Sequence, residues 1–166
     1  TSGSRSSRVR APSGGGGGVI GTDLCAHYGL QVPPLGARTL ELLEPLVPPI
    51  ASMVNPIDFT PEMWQPRWFP NFPAVLDLIA ADPGIDIVFI PSMFMNRDAA
   101  EMAEAVGAFR RRTEKSVLIS WTFMRKRGLD LLAQQGIYSF LEPARALKTV
   151  AQTFLATKYR AQLERN

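Results

Sequence analysis

Two short, mostly apolar runs, Ile85–Ile90 and Ser116–Trp121, stand between stretches of helical periodicity, and this alternation constrains the chain more than any other feature. A run of five to seven apolar residues is a strand buried on both faces, as in parallel sheets. The flanking patterns predict helices over Phe72–Ala81, Arg97–Thr113, about Arg127–Gln135 and about Pro143–Leu163. Strands that alternate with longer helices imply a mostly parallel sheet with right-handed crossovers and helices on both faces. A further short strand is expected at Ile137–Phe140, and Pro91, which cannot donate to a ladder, is expected to end the first strand. Asn96 stands where it can cap the helix that follows it. A sheet of this kind also needs a strand leading into Gly14, and Ser7–Pro12 is a poor one.

The 166 residues suffice for one domain, and 46% apolar with 20% charged residues is the composition of a globular protein with a packed core. The expected organisation is a leader or cloning scar over residues 1–12 and a single domain over 13–163. The leader is rich in Ser, Gly and Arg and has no apolar stretch behind its arginines, so it is not a secretory signal. No apolar run approaches the roughly 20 residues that cross a bilayer. The net charge of +3 comes from Arg5, Arg8 and Arg10, which leaves fifteen basic and fifteen acidic residues in the body. That balance argues against a nucleic-acid binder, which carries its basic face on the fold itself. The single cysteine, Cys25, excludes an internal disulfide and fits a reducing cytoplasm. It lies in an apolar helical pattern with Val19, Ile20, Leu24 and Tyr28, so a core position is favoured over a nucleophile.

The residues that point to chemistry begin with Gly14, Gly15, Gly16, Gly17 and Gly18, which run into a helical pattern over Val19–Tyr28 closed by Gly29. Glycines let backbone N–H groups approach an anion without interference from Cβ atoms, and a helix N-terminus adds unpaired donors and the positive end of the macrodipole. No Gly-Lys-Ser/Thr follows, so this is not a Walker loop. The competing reading is a flexible linker. Asn55, Asp58 and Thr60 stand in Asn55-Pro56-Ile57-Asp58-Phe59-Thr60, whose side chains either hold a tight loop or place Asp58 beside a phosphate. Ser92 and Met93, with Thr122 and Phe123, follow the two clear strands and are candidates to line a cleft at the sheet's carboxyl edge. Packing is the alternative for these residues. Trp64 and Trp68 lie in a proline-rich irregular stretch, where they cover either a pocket or a partner surface. The only histidine, His27, falls at the far end of the first helix from the glycines. With Cys25 it does not make a metal site, and no catalytic residue is assigned.

The order of these features resembles the ADP-forming acyl-CoA synthetases, relatives of succinyl-CoA synthetase. The matching residues are Ser13–Gly18 with Val19-Ile20-Gly21-Thr22-Asp23, His27-Tyr28-Gly29-Leu30, Pro48-Pro49 ahead of Asn55-Pro56-Ile57-Asp58, Asp82-Pro83-Gly84-Ile85-Asp86-Ile87-Val88, Lys115-Ser116-Val117-Leu118 and Gly136-Ile137-Tyr138. The resemblance implies an α/β, flavodoxin-like three-layer sandwich corresponding to the CoA-ligase domain, with a degraded first strand. It implies a part in converting acid, CoA and ATP to acyl-CoA, ADP and phosphate through an acyl phosphate and a phosphohistidine. Gly14–Gly18 would then bind phosphate, and Asn55, Asp58, Thr60 and Ser92 would shape that site. CoA, ATP and Mg would belong to the complete cytoplasmic enzyme, none of them held by this chain alone. The partners implied are CoA-binding and ATP-grasp domains and a phosphohistidine loop, with no nucleic acid or membrane. The chain has no Ser-His-Thr-Gly motif, and Thr122-Phe123-Met124 replaces the glycines expected after the second strand, so activity in isolation is not expected. Two rivals are a non-catalytic binding or regulatory module that keeps the fold, and a free-standing nucleotide or flavin binder. The second fits poorly, because flavodoxin phosphate loops are rich in Ser and Thr.

Overall fold

A computed structural model describes residues 9–10, 15–93 and 99–164. The elements in chain order are β1 (Val9–Arg10), α1 (Gly15–His27), α2 (Ala37–Leu43), α3 (Phe72–Ala81), β2 (Ile87–Met93), α4 (Ala99–Arg112), β3 (Ser116–Thr122), α5 (Lys126–Gln134), β4 (Ser139–Phe140) and α6 (Pro143–Leu163). Single turns of 3-10 helix occur at Glu44–Leu46, Pro61–Trp64 and Phe69–Asn71. The four strands form one sheet in the order β1-β2-β3-β4, and every pairing is parallel. Two residues of the weak first strand are described. Val9 and Arg10, in the stretch read as leader, pair with Ile87 and Val88. Gly14, Asn96 and Arg97 lie outside the described residues.

Alternation along the strands divides the interior into two layers. Val88 and Ile90 of β2 and Ile119 and Trp121 of β3 face one way, against α3, α4 and α5 through Val75, Leu76, Ile79, Met102, Val106, Phe109 and Leu132. Ile87, Phe89 and Leu118 face the other way, against Cys25 of α1 and Ala146, Leu147 and Ala151 of α6. The result is a three-layer α/β/α sandwich. Asp82 fixes the turn into β2: its carboxylate accepts from the Gly84 amide at 2.7 Å, the Gly36 amide at 2.9 Å and the Thr39 hydroxyl at 2.9 Å. One carboxylate therefore joins the end of α3, the start of α2 and the entry to the sheet.

The structure corrects several boundaries. Pro91 does not end β2, which continues to Met93 with Pro91 opposite Ser120. Among the described residues β1 flanks β2 only at Ile87 and Val88, so a proline three residues further on breaks no described β1–β2 pairing. The strand expected from Ile85 starts at Ile87, after the Asp82 turn has been closed by the Ile85 amide on the Asp82 carbonyl. The strand expected over Ile137–Phe140 is reduced to Ser139–Phe140. The first helix starts at Gly15 rather than Val19. No helix among the described residues is long and apolar enough to cross a membrane.

Candidate functional site

The crevice follows from the winding of the chain. From β1 the chain enters α1 on one face of the sheet, whereas from β2 it enters α4 on the opposite face. Neighbouring strands that send their connections to opposite faces open a crevice beyond their carboxyl ends, which is where ligands bind in doubly wound sheets. Cys25 packs at the level of Ile87 and Phe89, near the start of β2. Gly15 lies ten residues earlier on a helix running antiparallel to the strand, about 15 Å toward the carboxyl edge. Ser92 and Met93 lie at a similar height, about 13 and about 16 Å along β2 from Val88. The first turn of α1 and the end of β2 therefore approach one end of the molecule.

Glycine is a poor helix former, and that alone favours a loop before Val19. The fold overrides the propensity by using the missing side chains. Gly17, Gly18, Gly21 and Cys25 form the buried stripe of α1, small enough to seat the helix closely on β2 and α6, while Gly16 faces solvent. A Cβ built on Gly16 meets nothing within 4 Å. The amides of the first turn have no partner within the helix, because the first internal bond is made four residues on. No acidic residue stands in that turn to neutralise its positive end. The Thr22 hydroxyl donates back to the Gly18 carbonyl at 3.0 Å and leaves the amides untouched. Ser92 is almost fully buried and lies on the same face as Ile90, opposite Trp121.

The other predicted residues do their visible work locally. Asp58 pairs with Ser52 through two backbone bonds of 2.9 Å, and its carboxylate accepts from the Thr60 amide at 2.9 Å. Thr60, at φ 55°, accepts from the Glu62 amide at 3.3 Å and starts the next turn. The Asn55 amide group donates to the Pro33 carbonyl at 2.7 Å, tying this loop to the segment after α1. Trp64 packs against Phe72 and Phe69, with ring centroids 5.1 and 6.1 Å apart. His27 is exposed at the far end of α1, edge-on to Tyr28. Cys25 is fully buried, and desolvation pushes its thiol up to about 12, so it is not a nucleophile. Among the described residues no group of three His, Cys, Asp or Glu side chains is placed to hold a metal ion.

Two features escaped sequence reasoning. Ser120 on β3 is fully buried, and its hydroxyl has no partner among the described residues, a property no pattern of residue types reveals. A groove of about 560 Å³ lies between the carboxyl ends of α3 and α4, lined by Asp77, Arg112, Thr113 and Lys115 among others. Arg112 bridges it to Asp77 at 2.9 Å, and Lys115 donates to the Ile85 carbonyl. The groove adjoins the amino edge of the sheet, at the opposite end from the glycines.

The winding, the two-faced core and the crevice define a flavodoxin-like α/β domain. No family model matches the chain. It is similar to the alpha subunit of an ADP-forming acetate–CoA ligase I from Pyrococcus furiosus, 27% identical over 154 residues that cover 90% of this chain and 32% of the relative. It is also similar to an ADP-forming acetate–CoA ligase I from Archaeoglobus fulgidus, 25% identical over 142 residues that cover 82% of this chain and 19% of the relative. Among solved structures, the apo form of a dinucleotide-forming acetyl-coenzyme A synthetase 1 from Candidatus Korarchaeum cryptofilum matches 97% of this chain with a TM-score of 0.80 at 20% identity. That match covers 35% of the larger chain. The same enzyme in complex with phosphate and ADP matches 95% of this chain and 34% of its own, with a TM-score of 0.74 at 20% identity. The sequence similarity supports a relationship to the superfamily of ADP-forming acyl-CoA synthetases, and the structural likeness shows the flavodoxin-like fold. The chain spans about a third or less of the length of these curated relatives.

Proposed function

We propose that this chain supplies the phosphoryl-facing helix of an ADP-forming acyl-CoA synthetase, with the first turn of α1 as the anion site. The observation that carries the reading is the placement of α1. A helix that starts inside a glycine run, with no acid in its first turn, opens on the carboxyl side of a doubly wound sheet. Such a turn offers fixed N–H donors to a phosphate oxygen, and they need not reorganise as charge moves during transfer. In this reading Gly14–Gly18 provide the donors and Ser92 borders the crevice. Asn55, Asp58 and Thr60 shape the neighbouring loop and make no direct contact with the phosphoryl group. In this reading Mg, nucleotide and CoA are held by other parts of the enzyme: the CoA-binding and ATP-grasp domains and the phosphohistidine loop. The complete enzyme would work in the cytoplasm.

The test is a titration of the chain with inorganic phosphate, ADP and CoA, followed by amide NMR shifts. Shifts centred on residues 15–22 with phosphate are expected. Gly16→Asp places a carboxylate at the donor turn without steric conflict, because that position is open. It is expected to lower phosphate affinity about tenfold or more while leaving the unfolding transition in place. Unchanged affinity in the variant would remove the anion site. Silence toward all three ligands would instead favour the non-catalytic module, for which the exposed Phe123 at φ 64° in place of a glycine is the supporting observation.

A further inference from the structure

α6 is much longer than the sheet it packs on. Its inward side is buried as far as Ala151, and from Gln152 to Leu163, about three turns, its described side chains are exposed apart from the half-buried Ala161. An isolated helix of that length is marginal in water. The sequence does little to help: Thr149, Thr153 and Thr157 are β-branched, and each returns its hydroxyl to the carbonyl four residues back, at 2.8–3.0 Å. The same stretch presents Leu155 at 54% exposure, Tyr159 at 67% and Leu163 at 77%.

These three residues continue a row. Leu147, Ala151, Leu155, Tyr159 and Leu163 stand four apart, the ridge used in the commonest class of helix packing. The first two already pack in a seam shared with Cys25 of α1. α1 ends at His27, and beyond it the ridge runs on with nothing from the described chain against it. The ridge is therefore the unfinished half of a helix–helix seam.

Charge indicates what completes it. From Ala146 to Glu164 the sequence has Lys148, Lys158 and Arg160 against Glu164 alone. A second copy of α6 would bring like charges together, whereas a helix with acidic flanks complements them. We propose that the exposed outer half of α6 docks an amphipathic helix of a separate polypeptide, one with an apolar stripe and acidic flanks. Tyr159 is the central anchor, the residue type over-represented at interface hot spots. The proposal is independent of the phosphoryl site.

The test uses two synthetic amphipathic peptides of about 20 residues with the same leucine spacing, one flanked by glutamates and its twin by lysines. Fluorescence anisotropy measures their binding to the purified chain. The glutamate-flanked peptide is expected to bind about tenfold tighter at low salt, with the preference shrinking as salt rises. Tyr159→Ser and Leu163→Ser are each expected to weaken it about tenfold without moving the unfolding transition, since both side chains are exposed. Equal affinity for the twins, or no saturation by either, overturns the proposal. So does a dimer in light scattering that Tyr159→Ser dissolves, which would make a second copy the occupant. Sedimentation with phosphatidylglycerol vesicles without peptide preference would overturn it in favour of a lipid surface.

Discussion

Two buried residues carry opposite lessons about polarity. The Ser120 hydroxyl is removed from water with no partner among the described residues, and a buried donor left unpaired costs about 1–3 kcal/mol. Ser120→Ala deletes that group and little else, so a gain of about 1 kcal/mol in urea unfolding is expected. A lowered midpoint would show that the hydroxyl is bonded after all. Cys25 is apolar in practice. Its thiol is raised from 9.0 to about 12 by desolvation. Below pH 9 the folded and unfolded thiols are both protonated, and the group contributes nothing to pH dependence. Between about 9 and about 12 only the unfolded thiol ionises, so stability falls as pH rises, by about 1.4 kcal/mol per pH unit. Unfolding curves of Cys25→Ala, measured against the parent across this window, are expected to lack that slope. Parallel curves would mean that the thiol reaches water.

At the scale of elements, α3 and α6 were legible to the residue because each has an amphipathic stripe and an unmistakable boundary, Asp82-Pro83-Gly84 after one and Pro143 at the start of the other. The β2 boundaries were less legible. The run Ile85–Ile90 is apolar apart from Asp86 and has no alternation beyond it, and Pro91 reads as a stop although among the described residues β1 flanks β2 only at Ile87 and Val88. The glycine run was legible as a candidate site, but the start of α1 was not, because tertiary packing of Gly17 and Gly18 overrides their propensity. Nor did the Asp82 turn signal disclose that its carboxylate serves three donors, one in its own turn and two at the start of α2. Removing it orphans the Gly36 and Gly84 amides and the Thr39 hydroxyl together. Asp82→Ala is therefore expected to cost about 3 kcal/mol in denaturant unfolding, against a few tenths for Asp77→Ala, whose exposed pair with Arg112 is worth little. Equal costs would contradict the role given to the Asp82 turn.

At the scale of the whole molecule, a chain that covers a third of a relative carries at most part of its chemistry. The purified chain given acetyl-CoA, ADP and phosphate is expected to form no ATP in a coupled assay, and any turnover that survives repurification would refute the division of labour proposed above. The first turn of α1 has a consequence for energetics as well as for binding. Each glycine in a helix costs about 1 kcal/mol relative to alanine, so Gly15–Gly18 form a turn roughly 4 kcal/mol less favourable than an alanine turn. Such a turn is the first part of the helix to fray, and its amides should exchange with deuterium well before those around Cys25. An anion that holds it closed slows that exchange and binds with an affinity reduced by the fraction of molecules in which the turn is open. In the proposed site, the glycines that would let a phosphate approach would thus also weaken its grip, which suits a site that must release the group it receives.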